Sequence, residues 1–168
     1  MKDLIVDFDS FDPNRILHDR QEIEQYNAHR FEMSLLDGIL YENLDEIKAV
    51  AFHDPQPDAF WVRGHFPGFA VMPGVLVCEA AAQLCCYIGA KANLFSNIIA
   101  GLGAIEEVRF RAPVRPGDRL IVMLGMTRFR KNVMITGHFQ CFVDRQLTAE
   151  GIVKGVAMGP ASQATSST

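Results

Sequence analysis

Little in this 168-residue chain suits metal, disulfide or membrane chemistry. Its four cysteines (Cys78, Cys85, Cys86, Cys141) include an adjacent pair but no Cys-x-x-Cys and no His-Cys spacing. A zinc site or a redox-active dithiol would need one or the other. No run reaches the ~18 uninterrupted apolar residues of a membrane span, because Glu79 and Gln83 break the longest candidate. The acidic start, MKDLIVDFDSFD, has no apolar stretch of the secretory kind. No internal repeat is visible, and aromatics are too thinly interleaved with arginines to suggest a nucleic-acid platform. The expectation is a cytoplasmic protein with no metal, no membrane segment and no nucleic-acid partner.

What is present is ordinary for one globular domain: 49% apolar and 21% charged residues in a length that can bury one sizeable core. Charge is uneven. The first 60 residues carry 5 Lys/Arg against 14 Asp/Glu, and the remainder 11 against 6. From 109 to 131 stand Arg109, Arg111, Arg115, Arg119, Arg128, Arg130 and Lys131, opposed only by Asp118. Such a patch steers anionic partners, although a solvated strand face would look the same.

The chain centres on residues 64–83, GHFPGFAVMPGVLVCEAAAQ. Pro73-Gly74 suits a helix entry, and the alanine- and leucine-rich run after it propagates one. A helix from Gly74 to Ala92 would run about 28 Å at 1.5 Å per residue. Lys91 would be its last-turn cation and Asn93 its C-cap. Too few positions are polar for a surface helix, so other structure should surround it. Glu79 lies inside this run. Desolvation should raise its pKa, with no cation in the helix before Lys91 to oppose the shift, and a protonated carboxyl can serve as a general acid. Gln83, four residues on, shares its face. His65 brings an imidazole to a sharp turn. The Gly74 N–H, at the positive end of the helix, is a donor for a developing oxyanion.

This stretch resembles the signature of the 3-hydroxyacyl-[acyl-carrier-protein] dehydratases, His-Phe-Pro-Gly-x-Pro-Val-Met-Pro-Gly-Val-Leu followed by Glu and Ala-Gln. The match runs nearly residue for residue from His65 to Gln83, with Ala70 in place of a proline. Glu79, with Val75 after the glycine, is similar to the broad-specificity FabZ type; the FabA type has Asp and Cys there. Two further phrases fit. AHRFEMSLLDG resembles the family's Pro-His-Arg-Tyr-Pro-Phe-Leu-Leu-Val-Asp-Arg, keeping His29, Arg30, Leu35, Leu36 and Asp37, with Ala28 and Gly38 departing from it. VRFRAPVRPGD resembles Val-Lys-Phe-Arg-x-Pro-Val-x-Pro-Gly-Asp.

The remaining pattern predicts a short helix over Asp19 to Asn27 and strands over Met33–Tyr41 and Ile47–His53, turning at Glu42-Asn43. Apolar runs at about ten-residue spacing then follow to Met158, broken by RPGD and by Asp144-Arg145-Gln146, as in an antiparallel meander. Gly103, Gly125 and Gly137 suggest bulges. The fold class is α+β: a curved antiparallel sheet around one long central helix, the hot-dog fold of the family. We expect three parts: an acidic extension over 1–18 packed loosely on the surface, the dehydratase domain over 19–158, and a disordered tail over 159–168.

The resemblance implies removal of water from (3R)-3-hydroxyacyl chains on acyl carrier protein, giving trans-2-enoyl thioesters in fatty-acid biosynthesis. His65 would take the C2 proton, Glu79 would protonate the leaving hydroxyl, and Gly74 would hold the thioester oxygen. Gln83, Val75 and Phe66 would line the substrate site. Arg109, Arg111, Arg115 and Arg119 are the candidate carrier contacts. His65 and Glu79 would meet across a homodimer interface, with dimers assembling to hexamers, and no cofactor is implied. Rival readings are a dehydratase-isomerase, a thioesterase lacking the His-Phe-Pro-Gly turn, and a non-catalytic acyl-carrier binding subunit.

Overall fold

In the computed structural model, which describes residues 3–160, one seven-stranded antiparallel sheet wraps the long helix. The strands are β1 (His18–Asp19), β2 (Gly38–Asn43), β3 (Lys48–His53), β4 (Ile98–Phe110), β5 (Leu120–Arg130), β6 (Met134–Val143) and β7 (Gln146–Pro160). They lie in the order β1-β2-β3-β5-β6-β7-β4. The helices are α1 (Arg20–Tyr26) and α2 (Gly74–Lys91). Asp19 caps α1 by accepting from the Glu22 N–H. The predicted hot-dog architecture is therefore the observed one.

α2 has the length and composition of a membrane-crossing segment, but here it is the core. Val77, Cys78, Ala80 to Cys85 and Tyr87 to Gly89 are all buried. Fully burying side chains such as Leu84 and Ile88 is worth about 1.5–3 kcal/mol each. Small residues let the sheet come close: a Cβ on Gly89 would meet Ile135 at 3.0 Å, and one on Gly137 would meet Cys85 Sγ at 3.2 Å. The helix ends as the sequence suggests, one position displaced. Ala92 is the C-cap, and Asn93 follows with φ 59°, its N–H bonded to Ala90 O. Lys91, the last-turn cation, pairs with Glu22 and Glu42 and donates to Tyr87 Oη.

Several expectations need correction. The first long strand begins at Gly38, not Met33, because Phe31–Met33 form a 3-10 turn and the chain through Leu36 is docked on α2 instead. The β2–β3 turn lies beyond Glu42-Asn43, with Asn43 Oδ1 accepting from the N–H groups of Asp45 and Glu46. Gly103 does sit at a register shift in β4, but Gly125 and Gly137 are paired in register, and the β5 irregularity lies between Met126 and Arg128. Glycine at 125 instead makes room for Ile5, which a Cβ would meet at 3.0 Å.

Ile5 belongs to the acidic extension, which is not loosely packed. Val6 is buried with Leu40, Val50, Phe52, Ile121, Met123 and Phe142, a second apolar layer on the face of the sheet away from α2. Polar contacts fix it: Gln140 Oε1 accepts from the Ile5 N–H, and Arg119 donates to Pro13 O. The acidic residues face water while Ile5, Val6, Phe8 and Phe11 face the sheet. At the other end, Gly159 and Pro160 belong to β7; the rest of the expected tail lies outside the described residues.

Candidate active site

His65 lies between the turns that precede α2. Its N–H donates to Trp61 O and its carbonyl accepts from the Val71 N–H, so the backbone is pinned on both sides. The ring is fixed too. Nδ1 is 2.7 Å from Val71 O, and a carbonyl can only accept, so Nδ1 carries a hydrogen and, in the neutral ring, Nε2 holds the lone pair. Phe66 stacks on the imidazole at 3.9 Å between centroids. The ring is thus oriented with a basic nitrogen available.

A cleft of about 540 Å³ opens beside it, lined by His65, Gly74, Val75, Phe110, Arg111 and Thr148 among others. Gly74 begins α2, and among the described residues nothing accepts from its N–H. The Phe110 ring explains the glycine: a Cβ there would come within 2.8 Å of it. A base, a helix-end N–H and apolar walls therefore share one cleft. Phe66 and Val75 flank it in exposed positions.

Glu79 is elsewhere. Its carboxyl turns to His29 and Gln83, and among the described residues no hydrogen bond or ion pair joins it to His65. Its Oε1 lies 3.1 Å from His29 Nε2 and accepts from Gln83 Nε2 at 2.8 Å. Gln83 is nearly inaccessible; it also donates to Met33 O and accepts from the Leu35 N–H. The expectation of a raised Glu79 pKa is corrected for the single chain. The hydrogen bond from His29 holds the carboxyl below the usual carboxylate range, outweighing burial, and the bond from Gln83 adds to the effect. His29 stands in the quoted AHRF phrase, but its role was not read from sequence. A histidine near the strand before the helix was the available signal.

A second cavity, about 510 Å³, adjoins this pair. Its walls include Tyr26, His29, Cys86 and Ala90, with Ile98 to Ala100 of β4 opposite. Burial, with the Glu79 charge adding, pushes the Cys86 thiol up to about 12.

Of the four candidate carrier arginines, two are engaged within the chain. Arg119 holds Asp54 through two bonds, at 2.8 and 2.6 Å, and Arg111 pairs with the buried Glu150. Arg115 lies over the Phe69 ring at 4.9 Å, beside the His65 turn, and Arg109 is exposed on β4. Among the described residues no cluster of His, Cys, Asp and Glu has the make-up of a metal site.

A curved antiparallel sheet closed on a buried helix, with a histidine turn at the helix entry, defines a hot-dog protein of the dehydratase type. The family model described as a FabA-like domain matches residues 27–152, and the chain belongs to that family. It is 36% identical over 152 residues to the 3-hydroxyacyl-[acyl-carrier-protein] dehydratase FabZ of Thermomicrobium roseum, covering 86% of this chain and 95% of that one. It is also 36% identical over 124 residues to the bifunctional enzyme LpxC/FabZ of Chlorobaculum tepidum. There the match takes in 70% of this chain but 25% of that protein. Among solved structures, the PaaI protein of the E. coli phenylacetic acid degradation operon superposes with a TM-score of 0.55 at 18% identity, over 70% of this chain and 80% of that one. That likeness is one of fold.

Proposed function

We propose that the chain is a 3-hydroxyacyl-[acyl-carrier-protein] dehydratase of fatty-acid biosynthesis, removing water from (3R)-3-hydroxyacyl thioesters to leave trans-2-enoyl thioesters. The observation that carries this reading is the fixed His65 tautomer, whose bare Nε2 belongs to a cleft shared with the Gly74 N–H. A thioester oxygen held on that N–H acidifies C2, and Nε2 takes the C2 proton. The electron pair forms the C2–C3 double bond as the 3-hydroxyl leaves with a proton from Glu79. General base, general acid and oxyanion donor are each typically worth about two to four orders of magnitude in rate.

His65 and Glu79 do not meet within one chain, so the reading requires a second copy. The sheet ends on β4, a long edge strand with exposed Leu102 and Ile105 and, among the described residues, no strand paired on its outer side. Edge-to-edge pairing of two β4 strands would satisfy it and join the sheets. A homodimer with two composite sites follows, and such dimers assemble further to hexamers. Cover from the second copy would also bury Glu79 more deeply, and desolvation favours the protonated form that an acid needs. The second cavity, with Phe95 and Ile98 to Ala100 as its apolar wall, then takes the acyl chain.

The substrate is delivered by acyl carrier protein, an acidic partner suited to Arg109 and Arg115, while Arg111, at the His65 cleft, is held by Glu150. Arg119 contributes charge but is held by Asp54. The compartment is the cytoplasm, where four unpaired thiols stay reduced. No cofactor enters, because elimination needs only an acid and a base.

Incubation with 3-hydroxyacyl carrier-protein substrates of several lengths, followed by mass spectrometry, tests the reading. Loss of water to give the trans-2-enoyl product supports it. Free acid would instead mark a thioesterase, cis-3-enoyl product a dehydratase-isomerase, and unchanged substrate a binding subunit.

A further inference from the structure

Both hydrogen bonds to the Glu79 carboxyl fall on the same oxygen. His29 Nε2 and Gln83 Nε2 converge on Oε1, at 3.1 and 2.8 Å, and Oε2 has no partner among the described residues. The other His29 nitrogen settles the direction of the first bond. Nδ1 is buried and meets no hydrogen-bonding partner. An N–H left there unpaired would cost about 1–3 kcal/mol, and a cationic one more. The ring hydrogen therefore belongs on Nε2, which donates to Oε1.

We propose that His29, together with Gln83, clamps the Glu79 carboxyl by Oε1 and leaves Oε2 as the oxygen that carries the transferred proton. His29 is then a positioning residue for the acid step. This rests on the dehydratase reading above. In that step the O–H bond at Oε2 breaks, its proton moves to the 3-hydroxyl oxygen, and the C3–O bond breaks to release water. The C2 proton passes to His65 Nε2. The Glu79 carboxylate left behind already has two donors on Oε1, so the charge it gains is stabilised as it forms.

The surroundings put no stronger group in competition. Arg30, the nearest cation on the same segment, is turned to the carbonyls of Glu24, Asn27 and His29, with the Glu24 carboxylate 4.0 Å away. Cys78 and Cys86 on α2 are thiols that burial keeps protonated, Cys78 up to about 11 and Cys86 up to about 12. Gln83 is fixed by bonds to Met33 and Leu35, so it positions Glu79 but cannot titrate. Among the described residues, His29 is the one group that both holds Oε1 and comes from outside the helix.

The test uses His29→Ala, His29→Gln and Glu79→Gln in the full-length protein, with folding and assembly checked by circular dichroism and sizing. Glutamate labelled with ¹³C at the carboxyl follows Glu79 by NMR, its signal assigned as the one lost in Glu79→Gln. In His29→Ala the Glu79 carboxyl should titrate at higher pH than in the wild type. Its kcat should fall about tenfold or more with KM little changed, since a donor and an orientation are lost. His29→Gln, which keeps a donor in reach of Oε1, should recover much of both and still reports if the alanine variant does not fold. An unmoved Glu79 titration in both variants, or kcat within twofold of wild type in both, would overturn the proposal. Loss of activity in Glu79→Gln alongside those results leaves the dehydratase reading standing, whereas full activity in Glu79→Gln removes that reading itself.

Discussion

His65 Nδ1 donates to Val71 O at 2.7 Å, and that one bond decides which nitrogen can act as a base. The acceptor is a backbone carbonyl six residues on in the same turn, so the tautomer is set before any substrate arrives. Trp61 and Phe66 hold the rest of the residue by backbone hydrogen bonding and ring stacking respectively.

Replacing His65 with alanine should leave the fold intact, since the side chain is partly exposed and outside the core. Activity should fall by about 10²–10⁴, the range for loss of a general base. Turnover within tenfold of wild type, measured on a variant with an unchanged melting curve, would remove His65 from that role.

The arginines should separate into two groups. Arg109→Glu and Arg115→Glu should raise KM for carrier-bound substrate and weaken its salt dependence, with little effect on a short pantetheine thioester. Arg119→Glu should instead lower stability, because it places a carboxylate against Asp54 and removes the donor to Pro13 O. Equal KM changes on both substrate types for Arg109→Glu would assign the carrier to another face.

Packing of the extension makes a stability prediction. Val6→Asp puts an unpaired carboxylate among Leu40, Phe52 and Phe142 and should cost at least about 2 kcal/mol, visible as a lower Tm. No change in Tm would mean that the extension does not contribute to folding.

Asp37 links the segment before β2 to the sheet. Burial would raise its pKa, but the His53 hydrogen bond and the Asp54 N–H outweigh that, with Arg20 adding, and the carboxyl lies below its usual value. A carboxylate depressed in the folded state contributes stability that is present above its unfolded pKa of about 4 and is lost as pH falls through the folded one. Asp37→Asn should therefore cost about 1–3 kcal/mol at neutral pH and flatten the loss of stability on the acid side, as read by urea unfolding at several pH values. A wild-type slope in the variant would place the acid sensitivity elsewhere.

Most of the architecture was legible because one signal was strong. An apolar run entered through Pro73-Gly74 and closed by Lys91 and Asn93 leaves few alternatives to a buried helix. The Asp144-Arg145 turn was equally plain, both residues taking positive φ in the hairpin. The glycines were less so, since whether Gly125 marks a bulge or a close approach depends on Ile5, which only the fold brings there. Val6 was obscured by its acidic neighbours. The Glu79 environment is not visible in its local segment: its strongest neighbour, His29, is remote in sequence, and desolvation is the one effect the flanking residues display.

The role of Glu79 is tested most directly by Glu79→Gln, which keeps the shape and the Gln83 contact but removes the proton to be transferred. Its kcat on 3-hydroxyacyl carrier-protein substrate should fall by at least about two orders of magnitude, with the protein folded and KM near that of the wild type. Turnover close to wild type in that variant would make the carboxyl structural and contradict the acid–base mechanism.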